Sequence, residues 1–177
     1  MKLLNEYSIP FTGLKLGVHQ FEFEVNNSFF EEFEYSLVKS GKLNIALDLE
    51  KQETMMILHF YIKGSIKLGC DVCLADYPYL VDFKERQIVK LSGDENLEDD
   101  TEEIVVLKRS ETEINVATLI YEFINLAAPY ISRCEDEGNT EWCDSEMIEK
   151  LKQLAPGPKE EIKDVDPRWE ALKNIKK

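Results

Sequence analysis

Apolar residues at every second position constrain this chain most. In residues 19–25 (HQFEFEV), Phe21, Phe23 and Val25 fall on one side of an extended backbone, and Glu22 and Glu24 on the other. Leu43, Ile45, Leu47 and Leu49 repeat the pattern. Successive side chains of a strand point to opposite faces, so these segments predict strands with one buried and one wet face. Met55 to Leu68 is a longer run rich in Ile, Phe and Tyr, broken by Gly64, and polar residues 50–53 precede it. Together with the 43–49 segment it predicts an antiparallel hairpin. Residues 77–89 add a strand with Leu80, Val81, Phe83 and Ile88 as its apolar members, and Ile104 to Leu107 a short edge strand. Residues 1–18, punctuated by Pro10, Gly13 and Gly17, read as irregular or strand-like. Asn26 to Ser28 form a turn and a cap for a short helix or turn over Phe29 to Phe33.

The period then changes. Val116, Leu119, Ile120, Phe123, Ile124 and Ala127 recur at helical spacing, with Asn115 as the cap and Pro129 beyond the end. Asp144 caps a second helix whose Met147, Ile148, Leu151 and Leu154 share a face, and residues 155–158 (APGP) stop it. Asp166 and Pro167 open a last short helix with Trp169, Leu172 and Ile175 as a narrow apolar stripe. Strands first and helices second argue for an α+β fold. The expectation is an antiparallel β-sheet or partly closed barrel from the N-terminal half, packed by C-terminal helices. Residues 1–154 form one domain, and 155–177 a linker and short helix.

Charge narrows the partners. Lys plus Arg number 21 and Asp plus Glu 35, so the net charge is 21 − 35 = −14. Residues 94–103 (DENLEDDTEE) alone hold seven acids and no base, which reads first as a solvated loop and more sharply as a contact for a basic partner. Broad electrostatic capture of naked nucleic acid, or of an anionic membrane, needs clustered Lys and Arg instead. The start, MKLLNEYSIPF, lacks the apolar core of a signal peptide, and no uncharged apolar run approaches the ~20 residues of a membrane helix. The chain is therefore expected in the cytoplasm, where cysteines serve as thiols or metal ligands more often than as structural disulfides.

The chemistry-bearing residues are Cys70, Cys73, Cys134 and Cys143. A Cys-x-x-Cys pair lets two thiolates reach one ion from a tight turn, and Zn²⁺ is satisfied by four such ligands in a tetrahedron. The second pair is wider, Cys-x8-Cys, and its loop is acidic. Like charge disfavours free thiolates there, whereas a bound dication reverses that preference. A structural metal site built on all four, ordinary reduced cysteines, and a disulfide or redox pair are the readings left open. A thioredoxin-type motif is not among them, because it needs its second Cys in a helix after a βαβ strand. His19 and His59, the two histidines, sit in or beside strand patterns, which points to structural or surface roles. There is no phosphate-binding loop, dinucleotide fingerprint, zinc-protease motif or nucleophile elbow. Phe29, Phe30 and Phe33 have no interleaved basic residues, so they read as core aromatics and not as a base-stacking platform.

Several segments resemble the YceD family, also catalogued as domain of unknown function 177. They are residues 17–24 (GVHQFEFE), 68–74 (LGCDVCL) with the following strand, 115–129 (NVATLIYEFINLAAP), 143–151 (CDSEMIEKL) and 166–172 (DPRWEAL). The resemblance implies a role in accumulation of large-subunit (23S) ribosomal RNA, with no established catalysis. It also implies that a second cysteine pair, here Cys134 and Cys143, follows the helix that ends in proline. On that basis the chain is expected to be a non-enzymatic ribosome-biogenesis factor that grips a basic ribosomal protein or a pre-ribosomal large-subunit particle. The competing expectations are a thiol- or metal-dependent enzyme and a redox-controlled binding module.

Overall fold

The computed structural model describes residues 3–92, 104–108, 110–134 and 140–155. The acidic run 94–103 and the expected C-terminal helix after residue 166 lie outside the described residues. The chain forms two compact units, Met1–Cys143 and Asp144–Lys177.

The first unit is built on one open five-stranded sheet in the order β2-β3-β4-β5-β6. Strands β2 (Gly17–Val25), β3 (Gly41–Lys51), β4 (Met55–Gly69) and β5 (Asp76–Ser92) make an antiparallel meander, and β6 (Ile104–Lys108) runs parallel to the end of β5. The sheet does not close, so the architecture is α+β with an open sheet and not a barrel. A small second sheet pairs β1 (Ser8–Ile9) with β7 (Ile114–Asn115).

Alternation decides which face is dry. Leu43, Ile45, Leu47 and Leu49 of β3 and Met56, Leu58, Phe60 and Ile62 of β4 are each at most 1% exposed. Removing such a side chain from water is worth about 1.5–3 kcal/mol, so these two strands hold the centre of the core. Helix α2 (Ala117–Ala127) covers this face with buried Ile120 and Ile124, and Phe123 meets Phe60 edge-on at 5.3 Å. Helix α1 (Asn27–Glu31) begins at Asn26, whose Oδ1 accepts from the Ser28 amide at 3.0 Å. Its Phe29 and Phe30 are buried, Phe29 edge-on to both Tyr7 and Phe30, and Phe33 stacks on Tyr121 at 3.9 Å. The phenylalanine cluster is therefore core, as its sequence context implies.

Some local details depart from the pattern. Gly64 does not break β4; the ladder to β3 and β5 runs straight through it. It is glycine because the β3 backbone crosses there: a Cβ would meet the Lys42 carbonyl oxygen and come within 2.7 Å of Leu43 Cα. In β5 the period-two phase leaves Leu80 in solvent (75% exposed), while Tyr77, Gln87 and Val89 turn inward. Among the described residues, the buried Gln87 Nε2 has no hydrogen-bond partner. Asn115 does serve the start of α2, but from one residue before the cap position: its Oδ1 accepts from the Ala117 amide at 2.9 Å. The helix ends with Ala128 extended, as a residue before proline prefers.

In the second unit, α3 (Ser145–Leu154) begins at Asp144, whose Oδ1 accepts from the Met147 amide at 3.1 Å. Among the described residues no helix is long and apolar enough to cross a membrane.

Candidate metal centre

Six residues, 70–75, link β4 to β5 at one end of the meander. The Cys70 amide donates to the Ala75 carbonyl at 2.8 Å, and the Leu74 amide donates to the Cys70 carbonyl at 2.9 Å, closing a tight knuckle. The closure requires Leu74 at φ +62°, in the left-handed region that favours glycine. The fold turns the amides of Val72 and Cys73 back onto the Cys70 sulfur, at 3.4 and 3.5 Å. Cys73 sits in this turn and not in a helix, so the thioredoxin geometry is absent.

The chain beyond α2 is latched to the knuckle from both sides. The Asp71 amide donates to the Ser132 carbonyl at 2.8 Å, and the Ser132 amide donates to Asp71 Oδ2 at 2.7 Å. Two residues later, Cys134 is carried into the knuckle. Its Sγ lies 3.7 Å from Cys73 Sγ, and the sulfurs of Cys70, Cys73 and Cys134 all lie within 4.8 Å of one another. All three are buried. Cys143 is half-buried and lies outside that mutual group, but its thiol hydrogen-bonds to Cys134. The structure thus brings sulfurs separated by some sixty residues of chain into one cluster. None of the four cysteines is in a disulfide.

The electrostatics favour one thiolate. Burial pushes the Cys70 thiol up, but the amides of Cys73, Cys134 and Val72 and the Cys73 thiol donate to its sulfur and bring it down to about 7. Cys134 is pushed up, by burial first and then by thiol hydrogen bonds to Cys70, Cys143 and Cys73. Without metal, Cys70 is therefore the more readily ionised of the two, and Cys134 the one that holds its proton.

The donor set fits a thiophilic divalent ion. A Zn–S bond of about 2.3 Å in a tetrahedron places sulfurs about 3.8 Å apart, and the Cys73–Cys134 separation of 3.7 Å meets that spacing. Amide donors on a ligand sulfur offset its charge, as the outer partners of metal ligands do. Neither histidine belongs to the cluster: His19 Nε2 donates to the Lys15 carbonyl at 2.8 Å, and His59 stands midway along β4. Cys70, Cys73 and Cys134 could therefore hold a metal.

Sequence spacing pointed to the cysteines but not to the Asp71–Ser132 latch. The only trace of the latch is an Asp inside the Cys-x-x-Cys pair, a residue type too common to single out.

Among known proteins, the family described as large ribosomal RNA subunit accumulation protein YceD matches residues 58–176, well over half of the chain. The match runs from β4 through all four cysteines. Neither a curated protein nor a solved structure gives a significant match.

Proposed function

The chain belongs to the YceD family of large ribosomal RNA subunit accumulation proteins, and from that membership we propose that it is a non-enzymatic factor in ribosome biogenesis. It acts in the cytoplasm to support 23S ribosomal RNA accumulation and large-subunit assembly. The family match is the observation that carries this reading. With a net charge of −14, the partner is a basic ribosomal protein, or a pre-ribosomal large-subunit particle that presents one.

The cysteine cluster serves this role as a staple. Cys70, Cys73 and Cys134 would hold Zn²⁺, with Cys143 as the fourth ligand. When bound, the ion contributes folding energy by tying the β4–β5 knuckle to the segment after α2. The chain's own residues do the positioning: the Asp71–Ser132 latch delivers Cys134, and the knuckle amides hold Cys70 ready as a thiolate.

Depletion of the protein, followed by measurement of 23S RNA and of subunit profiles, tests the biological reading. Lowered 23S RNA with deficient large subunits is expected, and unchanged levels would overturn it. Metal analysis of purified protein and of Cys134→Ser tests the staple. Metal lost together with order around residues 70–75 supports it. A substrate turnover lost while that order and the metal persist would favour a thiol- or metal-dependent enzyme instead.

A further inference from the structure

The solvent face of the sheet carries a charge pattern that the whole-chain total conceals. Register places Arg86 opposite His59, Lys84 opposite Tyr61, Asp82 opposite Lys63 and Lys90 opposite Met55. Residues directly opposite share a face. Met56, Leu58, Phe60 and Ile62 occupy the inner one. Lys63, Lys67, Lys84, Arg86 and Lys90 therefore stand together on the outer face, and all five are exposed. On β2 and β3 the same face is mainly acidic, with Glu22, Glu24, Asp48 and Glu50 against the single cation Lys42. Two of the five cations are partly neutralised: Asp82 holds Lys63 at 3.1 Å, and Asp76 holds Lys67 at 2.8 Å. Lys84 instead lies over the Tyr61 ring, 5.0 Å from its centre. Among the described residues, Arg86 and Lys90 have no ion-pair partner.

Screening decides whether the local or the total charge matters. Alternate residues of a strand are about 6.8 Å apart, and strands two places apart in a sheet about 9.6 Å. The Debye length at physiological salt is about 8 Å. Lys84 and Arg86 thus act together; Asp82, at the same spacing from Lys84, is already paired with Lys63, and the acidic half of the face lies more than one Debye length away at physiological salt. The net charge of −14 still opposes the approach of free RNA from a distance. It does not oppose contact once RNA is already held near the face.

We infer that the basic half of this face, centred on Lys84, Arg86 and Lys90, is a contact site for RNA phosphates. The assignment rests on the reading of the chain as a ribosomal RNA accumulation factor, which supplies the polyanion. Protein contacts then recruit the factor, and this strip seats it against the RNA of the particle.

Fluorescence anisotropy of the full chain with labelled RNA of mixed sequence, single-stranded and duplex, tests the site at about 150 and about 300 mM salt, where the Debye length stays below the spacing to the acidic half. The native chain is expected to bind at the lower salt and to weaken at the higher. The variant Lys84→Glu, Arg86→Glu, Lys90→Glu is expected to bind roughly tenfold more weakly or worse, with a shallower salt dependence. The neutral set Lys84→Gln, Arg86→Gln, Lys90→Gln should fall between them, and Glu22→Lys with Glu24→Lys should not weaken binding. All five positions are exposed, and an unchanged denaturation midpoint verifies the fold. Absence of binding by the native chain at low salt, or equal binding by the triple variants, would overturn the site. Loss of binding to polyglutamate with RNA binding retained would assign the strip to an acidic protein and overturn it as well. Failed RNA binding alongside lowered 23S RNA on depletion would sink this site alone. Unchanged 23S RNA on depletion would sink the ribosomal reading and leave the binding result standing.

Discussion

The β3–β4 hairpin and the knuckle between β4 and β5 belong to one meander, yet different physics holds them. In the hairpin, eight side chains from Leu43 to Ile62 lie at most 1% exposed along an uninterrupted ladder. Apolar burial is additive and non-directional, so the hairpin is stabilised by area. The knuckle has a different inventory: three buried thiols, a two-way latch to Ser132 and one residue in left-handed conformation. Val72 and Leu74 are exposed there. Little apolar area is buried at this tip, so its order depends on directional bonds and, in the proposed holo form, on an ion. The comparison teaches that a strong sheet does not by itself order its own turns.

The largest effect expected is in the hairpin. Phe60→Ala removes a fully buried ring that touches Phe123 and should cost about 3–5 kcal/mol in denaturant unfolding. A loss under about 1 kcal/mol would mean that the sheet is not the main source of stability. Next is metal removal from zinc-loaded protein. Chelation should speed amide exchange at Asp71, Cys73 and Leu74 by about tenfold or more, with the amides of Leu47 and Phe60 unchanged. Equal acceleration in both places would merge the two regions into one cooperative unit.

The third contrast is in pH, and it belongs to the knuckle alone. Metal binding requires thiolates, so affinity falls as pH falls. Cys134 must release its proton at any neutral pH, while Cys70, brought down to about 7, requires this only in more acidic solution. Zinc affinity should therefore drop more steeply below about pH 7 than above it. In metal-free protein the sign follows from the same shift. The folded-state value lies below the ordinary 9.0, so Cys70 contributes stability that is full above about 9 and lost as pH falls through about 7. A competition titration with a zinc chromophore reads the break; a single slope across neutrality would contradict the Cys70 assignment. The smallest effect is Leu74→Gly, which relieves a left-handed backbone at an exposed position. It should stabilise the knuckle by about 1 kcal/mol, seen as slower local exchange without a change in the global midpoint.

Most of the sheet was legible from Phe21, Leu43, Ile45 and their alternating neighbours, because a period of two has one physical meaning in a half-buried strand. The helix over 117–127 was equally clear from its 3.6 period. The misread features were those set by a neighbour. Gly64 looks like an interruption until the β3 backbone is seen crossing it. Leu80 looks like core until the phase of β5 is known. The choice between an open antiparallel sheet and a partly closed barrel was a question of closure, which local patterning does not address. At the candidate site, the Cys70–Cys73 pair announced itself by spacing and the four-cysteine reading joined Cys134 and Cys143 to it, but no local pattern distinguished Cys134 as the third sulfur of the buried group.

Composition and periodicity alone determined that this chain builds a one-sided sheet followed by helices, with four thiols and a surplus of acid. These are local properties, set by which residues follow which. Tertiary structure decided what lies across from what. It brought Cys134 to a knuckle sixty residues away, and it gathered five cations of β4 and β5 onto one face of a protein whose total charge is strongly negative. Both depend on strand register and on a single latch between distant segments, and no short-range pattern encodes a distance through space.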